Sequence, residues 1–157
     1  MGDNTRPTAK AVNPESRSDS IVVSFKSHYY KDILNKSFTA VIRKRVPTNI
    51  HPKRLYFHVN SPESAICARA KIKFTANINL EKAIKISKEL NLSEETIRNY
   101  IGKHVSIGCY YLGDFDFPEK EVSIVELNAN LIYFAPQSFF ILSKEGKKIL
   151  NRLCGFR

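Results

Sequence analysis

Cysteine is scarce in this chain. Cys67, Cys109 and Cys154 form no CxxC pair and leave an odd count. That argues against a disulfide scaffold and for a reducing compartment. Each thiol is expected to fill a small apolar site rather than to react. Long apolar runs are missing too: nothing approaches the roughly 18 residues of a membrane span. The N-terminus has no apolar signal-peptide core. Membrane contact is therefore not expected, and the cytoplasm is the expected location. The six glycines are scattered, so no phosphate-cradling glycine loop exists. His28, His51, His58 and His104 show no HxxH or HxxxH spacing and no nearby cysteine cluster. No metal site is expected, and no cofactor. Acid is nearly missing from one stretch. Residues 21–60 hold eight Lys/Arg against Asp32 alone, +7 of the chain's +10.

What is there is ordinary globular material of 157 residues, 43% hydrophobic and 25% charged, enough for one domain with a real core. Residues 1–20 are polar, net zero in charge and nearly free of apolar side chains, a disordered tail by composition. The fold is expected over residues 21–157 as a single domain. The concentrated positive charge points to an anionic partner, nucleic acid first.

Periodicity sets out the elements. A short strand opens at residues 21–26. Ser27 is placed to cap a short helix through Asn35, with Tyr30, Ile33 and Leu34 on one side. Two strands joined by a basic, Pro-containing loop follow, over residues 36–45 and 54–61. Phe38, Ala40 and Ile42 alternate with Thr39, Val41 and Arg43; Leu55, Phe57 and Val59 alternate with Tyr56, His58 and Asn60. From Ile66 to Ile78, seven apolar positions at strict period two predict one long, curved strand with a solvated basic face. Helices are expected over residues 80–90, ended by Asn91, and from a Ser93 cap to Gly102. Strand alternation resumes over residues 105–117 and again near 134–142, and Ser143 is placed to cap a last helix. Few segments fit parallel crossovers. The expected fold is α+β: a small, mostly antiparallel barrel with flanking and inserted helices.

Four features in this order resemble an ASCH domain of the PUA-like superfamily. They are a short helix before the basic strand with Ile42-Arg43-Lys44-Arg45; the strand and turn Leu55-Tyr56-Phe57-His58-Val59-Asn60-Ser61-Pro62; a helical insert ending in Tyr100-Ile101-Gly102; and the late Pro136-Gln137-Ser138-Phe139. The resemblance covers residues 21–142. It implies a PUA-like barrel with a cleft beside the first helix and a role in RNA binding linked to translation or transcription. In some members it implies amidohydrolysis of acetylated cytidine, or RNA cleavage. The family's strand motif resembles Gly-x-Lys-x-x-(Glu or Thr)-x-Arg. Here the arginine is Arg43, but the glycine, lysine and Glu/Thr positions hold Lys36, Phe38 and Val41. The polar groups that would do the chemistry are replaced, so binding is expected in preference to catalysis.

The expected nucleic-acid contacts fall into three groups. Lys36, Arg43, Lys44, Arg45, Lys53 and Arg54 are phosphate ligands. Tyr56 and His58, on the polar parity of their strand, are exposed stacking platforms. Thr39, Asn60, Ser61, Gln137 and Ser138 are hydrogen-bonding groups around the cleft. RNA is expected before DNA, with a modified base or a nucleotide as the specific ligand, and the chain as a monomer. If an amidohydrolase or ribonuclease activity is retained, Lys36, Thr39 and Glu63 are its candidates, with Glu63 a base only where burial raises its pKa. The third class is a regulatory module whose basic face meets an acidic protein.

Overall fold

A computed structural model describes residues 16–130 and 136–157. The first strand, β1 (Arg17–Phe25), starts four residues before the expected Ile21. Its polar start is tied down: the Ser18 hydroxyl donates to the Leu142 carbonyl at 2.8 Å. The rest of the expected tail, residues 1–15, lies outside the described residues.

A 3-10 turn (Ser27–Tyr29) leads into α1 (Tyr30–Leu34). Ser27 does not cap it. Its hydroxyl donates instead to Glu63 at 2.7 Å. The strands β2 (Ala40–Arg43) and β3 (Arg54–Val59) follow. β3 runs parallel to β1, from Ser20↔Arg54 to Phe25↔Val59, and the other ladders are antiparallel.

The long strand is there as β4 (Ala65–Ile78), but its apolar positions do not share one face. Register shifts opposite Phe57/His58 and between Ile72 and Phe74 each insert a residue. An inserted residue flips side-chain parity. Ile66 therefore packs in one cluster, Ala68, Ala70 and Ile72 in a second, and Ala76 and Ile78 against a third. The basic face is not wholly solvated either. Arg69 is buried, donating to Asp116 at 3.0 Å and to the Arg157 carbonyl at 2.8 Å, with its guanidinium 4.3 Å from the Phe156 ring centre.

The insert holds α2 (Leu80–Lys85), α3 (Ser87–Leu90) and α4 (Glu94–Ile101). The single helix expected over residues 80–90 is broken at Ile86. Asn91, in the left-handed region at φ 54°, ends α3, and the Ser93 side chain caps α4 by accepting from the Thr96 amide. β5 (Ile107–Asp116) follows. A two-residue strand, β6 (Val122–Ser123), and a helix, α5 (Ile124–Asn130), fill a stretch for which no helix was expected. The expected strand near residues 134–142 is β7 (Phe139–Ser143), with 134 and 135 outside the described residues. Ser143 caps α6 (Lys144–Cys154) by accepting from the Gly146 amide at 2.8 Å.

The sheet order is β2-β5-β4-β3-β1-β7, with β6 beside β4. The α+β class with inserted and flanking helices holds, but the sheet does not close into the expected barrel. Among the described residues no ladder joins β2 to β7. β2 is only four residues long, and side chains bridge the gap instead: Arg43 donates to the Ser24 carbonyl at 3.1 Å, and the Ser24 hydroxyl to the Pro136 carbonyl at 2.6 Å. Three apolar clusters hold the layers. The concave face packs Phe25, Phe38, Phe57, Tyr110 and Leu112; α5 and α6 cover Tyr56, Ile66 and Leu142; the insert covers Ala40, Ile42 and Cys109. One cysteine is buried in each cluster. Desolvation pushes the thiols of Cys67 and Cys154 up to about 12 and that of Cys109 up to about 11, as packing residues rather than nucleophiles require. No helix among the described residues is long and apolar enough to cross a membrane.

Candidate nucleic-acid interface

Arg43 ends β2 where the sheet stays open. Its guanidinium donates to the carbonyls of Ile42 (2.8 Å) and Ser24 (3.1 Å) and lies 4.5 Å from the centre of the Phe25 ring. Burial pulls its pKa below the usual arginine value. Among the described residues no carboxylate pairs with it. A half-buried cation held only by neutral acceptors favours an incoming anion, because desolvation is already partly met and the field is not cancelled.

Beside it lies a cavity of about 40 Å³ lined by Phe25, Tyr29, Phe38, Val41, Leu90 and Leu92 among others. That is room for roughly three waters, the size of a phosphate or a base edge rather than a whole base. Tyr110 pairs with Val41 across the β2–β5 ladder. Its hydroxyl is buried with no hydrogen-bond partner among the described residues, and burial pushes its pKa up while the charge of Arg43 opposes the shift.

The expected site residues divide sharply. Arg43, Asn60, Gln137 and Ser138 come to one end of the sheet: the Asn60 amide donates to the Phe25 carbonyl at 2.9 Å, and Ser24 is bonded to Pro136. Gln137 and Ser61 are exposed, Ser138 half-buried. Lys53 and Arg54 are elsewhere. Arg54 pairs with Ser20, four residues along β1 from Ser24, about 13 Å away. Lys44 and Arg45 are exposed; Lys44 is drawn to the insert, its amide donating to the Tyr100 hydroxyl at 3.3 Å and its Nζ 5.0 Å from the ring centre. Lys36 is exposed, with its Nζ 5.7 Å from the Phe117 ring. The Thr39 side chain is exposed, while its amide donates to Glu89 and its carbonyl accepts from Leu112. Glu63 accepts from Ser27.

Tyr56 and His58 are corrected outright. Both are fully buried, so neither is a platform for bases. Both faces of β3 are covered, and its polar parity faces the layer under α6, where Tyr56 donates to Asn151. Phe38 and Val41 both lie in the concave cluster. Val41 and Arg43 share a face of β2, as expected; Phe38 joins them because it precedes the strand, where alternation does not apply. Sequence alone did not single out Ser24, Tyr29 or Tyr110. Ser24 left a trace: it is a lone polar residue between Val23 and Phe25 at the end of an apolar strand.

Among the described residues no group of three or more His, Cys, Asp or Glu is placed to hold a metal ion. No family model matches the chain, and no curated protein matches it in sequence. Solved structures do. The ASCH protein of Zymomonas mobilis superposes with a TM-score of 0.78 at 20% identity, covering 86% of this chain and 95% of that one. A serine-to-alanine mutant of it gives 0.79 at 21% identity, covering 88% and 97%. The N-terminal domain of Staphylothermus marinus McrB gives 0.52 at 11% identity, covering 87% and 94%. The chain has the fold of an ASCH domain protein.

Proposed function

We propose that this chain, which has the ASCH fold, is a PUA-like module that binds nucleic acid, RNA before DNA, and acts as a regulatory binder in translation or transcription. Arg43 is its anion anchor. The observation that carries this is the half-buried guanidinium at the open edge of the sheet, held by two carbonyls and one ring face and, among the described residues, neutralised by no carboxylate. The small cavity beside it has Arg43 as its one charged lining residue and apolar walls otherwise, so a phosphate would sit at its mouth against the guanidinium, and Gln137 and Ser138 stand at the same end to receive polar groups of the same nucleotide. The net charge of +10 adds a steering field that raises the encounter rate with a polyanion. Binding is preferred to hydrolysis because Phe38 and Val41 are packed into the core, where the family's lysine and Glu/Thr would stand.

Titration of labelled single-stranded RNA, structured RNA and duplex DNA at low and at near-physiological salt tests this. The expected result is binding that weakens steeply with salt, strongest for single-stranded RNA. No binding to any of them at low salt overturns the proposal.

A further inference from the structure

The outer face of the sheet is covered by two separate layers. α5 and α6 pack over Tyr56 and Ile66, and the insert packs over Ile78 and Cys109. Between the two layers β4 presents Lys71, Lys73 and Phe74, all exposed. The ladders put them on one face. Lys71 pairs with Gly113, and Phe74 with Tyr111. β5 has no inserted residue between Tyr111 and Gly113, so these two share a face; the inserted residue is Lys73, on β4. Cross-strand partners point the same way, so Lys71 and Phe74 share that face despite their odd spacing. Arg54 joins it, because it pairs with Lys71 from β3. Lys73 lies across Gly113: a Cβ there would meet its Cε at 2.5 Å, so the glycine makes room for the lysine on this face.

Phe74 is 56% exposed, and its ring stacks on Tyr111 at 4.2 Å and 18°. The second ring holds the first in place and leaves one flat apolar surface facing outward. Lys71 is about 10 Å along the strand from Phe74, with Lys73 between. Neither Arg54 nor Lys73 is in an ion pair among the described residues. Two acids are near. Asp114 lies 3.4 Å from Lys71, but both side chains are solvent-exposed, so the pair is weak and readily exchanged. Glu89 sits beyond β2, where its carbonyl accepts from the Thr39 amide, across β5 from the lysines.

We propose that this strip of the outer face binds single-stranded nucleic acid: Phe74 stacks one base, and Arg54, Lys71 and Lys73 take the adjoining backbone phosphates. The surface is separate from the Arg43 site. Arg43 shares the concave face with Val41, whereas Ala40, the β2 partner of Tyr111, faces the insert. The two are thus different contacts on opposite faces of the sheet, and neither needs the other. The chemistry chooses the occupant. A free base fits the ring and its phosphates fit the cations. An acidic peptide offers charge but nothing to stack, and a duplex keeps its bases paired away from the ring. Stacking accepts every base, so binding here is sequence-tolerant.

The chain has no tryptophan, so Phe74→Trp places a single reporter on the strip. Single-stranded RNA and DNA oligonucleotides should quench its emission; polyglutamate of equal charge and duplex DNA should not. Phe74→Ala should weaken oligonucleotide binding roughly five- to a hundredfold, and Phe74→Tyr should restore it. Lys71→Ala/Lys73→Ala should flatten the salt slope by about 1.4, two contacts at about 0.7 each. Quenching should persist in Phe74→Trp/Arg43→Gln, which separates this proposal from the Arg43 reading. Quenching together with unchanged affinity in Arg43→Gln would sustain the strip and sink the Arg43 anchor. Oligonucleotide binding that Arg43→Gln weakens, with no change in the reporter and none in Phe74→Ala, would overturn the strip and leave Arg43 alone. Quenching by polyglutamate at lower concentration than by RNA would make the strip a protein-docking surface and overturn the assignment, and so would the failure of every oligonucleotide to bind.

Discussion

Acid should destabilise this protein through His58. The imidazole is fully buried on β3, and desolvation lowers its pKa from 6.5 to about 4. In the unfolded chain it titrates near 6.5. Between these values the unfolded state binds the extra proton, so stability rises with pH across that window. Above 6.5 both states are neutral at His58 and the full contribution is present. As pH falls through 6.5 towards 4 it is lost, at about 1.4 kcal/mol for each pH unit between the two pKa values. The difference of 2.5 units gives about 3 kcal/mol, a large part of the 5–15 kcal/mol typical of a domain. Urea unfolding midpoints measured from pH 7 to pH 4 read this directly. His58→Gln keeps a polar side chain of similar length but does not titrate. It should shift all midpoints down and remove most of the slope between pH 6.5 and 4. The same slope in the variant as in the parent, or a His58 pKa near 6.5 by NMR, would refute the assignment of the loss to this residue.

Arg69→Ala should cost about 1–3 kcal/mol by thermal or urea unfolding, because it removes the hydrogen bonds and ring packing of a buried guanidinium and with them the link from β4 to Asp116 and the C-terminal residues. Phe38→Lys should cost several kcal/mol and leave little folded protein by circular dichroism, since the ring packs against Phe25, Phe57 and Phe115 in the core. The three thiols should resist a thiol-reactive disulfide reagent at neutral pH in the folded protein and react at once in denaturant; fast native labelling of any one would contradict its burial.

The elements were legible where one local signal sufficed. Ser93 and Ser143 cap the helices they were expected to cap, and Asn91 ends α3 through its left-handed conformation. What the sequence could not show was decided by three-dimensional pairing. Period two in β4 reads as one buried face only if no residue is inserted, and the insertions are visible only in the ladders with β3 and β5. Alternation marked Tyr56 and His58 as outward on β3. That inference assumes one solvated face, and α6 removes it. At the site, the motif spacing located Arg43, but its distant acceptor, the Ser24 carbonyl, comes from β1, 19 residues away, and Ser24 in turn bonds the Pro136 carbonyl, 112 residues further along the sequence. Removing Arg43 should therefore cost stability as well as binding. Two hydrogen bonds and a ring contact are lost, about 1–3 kcal/mol, whereas the exposed Arg45 should be neutral within about 0.5 kcal/mol.

The central claim is that Arg43 receives a nucleic-acid phosphate at the open edge of the sheet. Amide chemical-shift mapping with a nucleoside monophosphate, and then a short single-stranded RNA, tests it most directly. Shifts should concentrate at Ser24, Phe25, Arg43, Asn60, Gln137 and Ser138, and disappear in Arg43→Gln while Arg45→Ala retains them. Shifts confined to other surfaces, or unchanged by Arg43→Gln in a folded variant, would contradict the account.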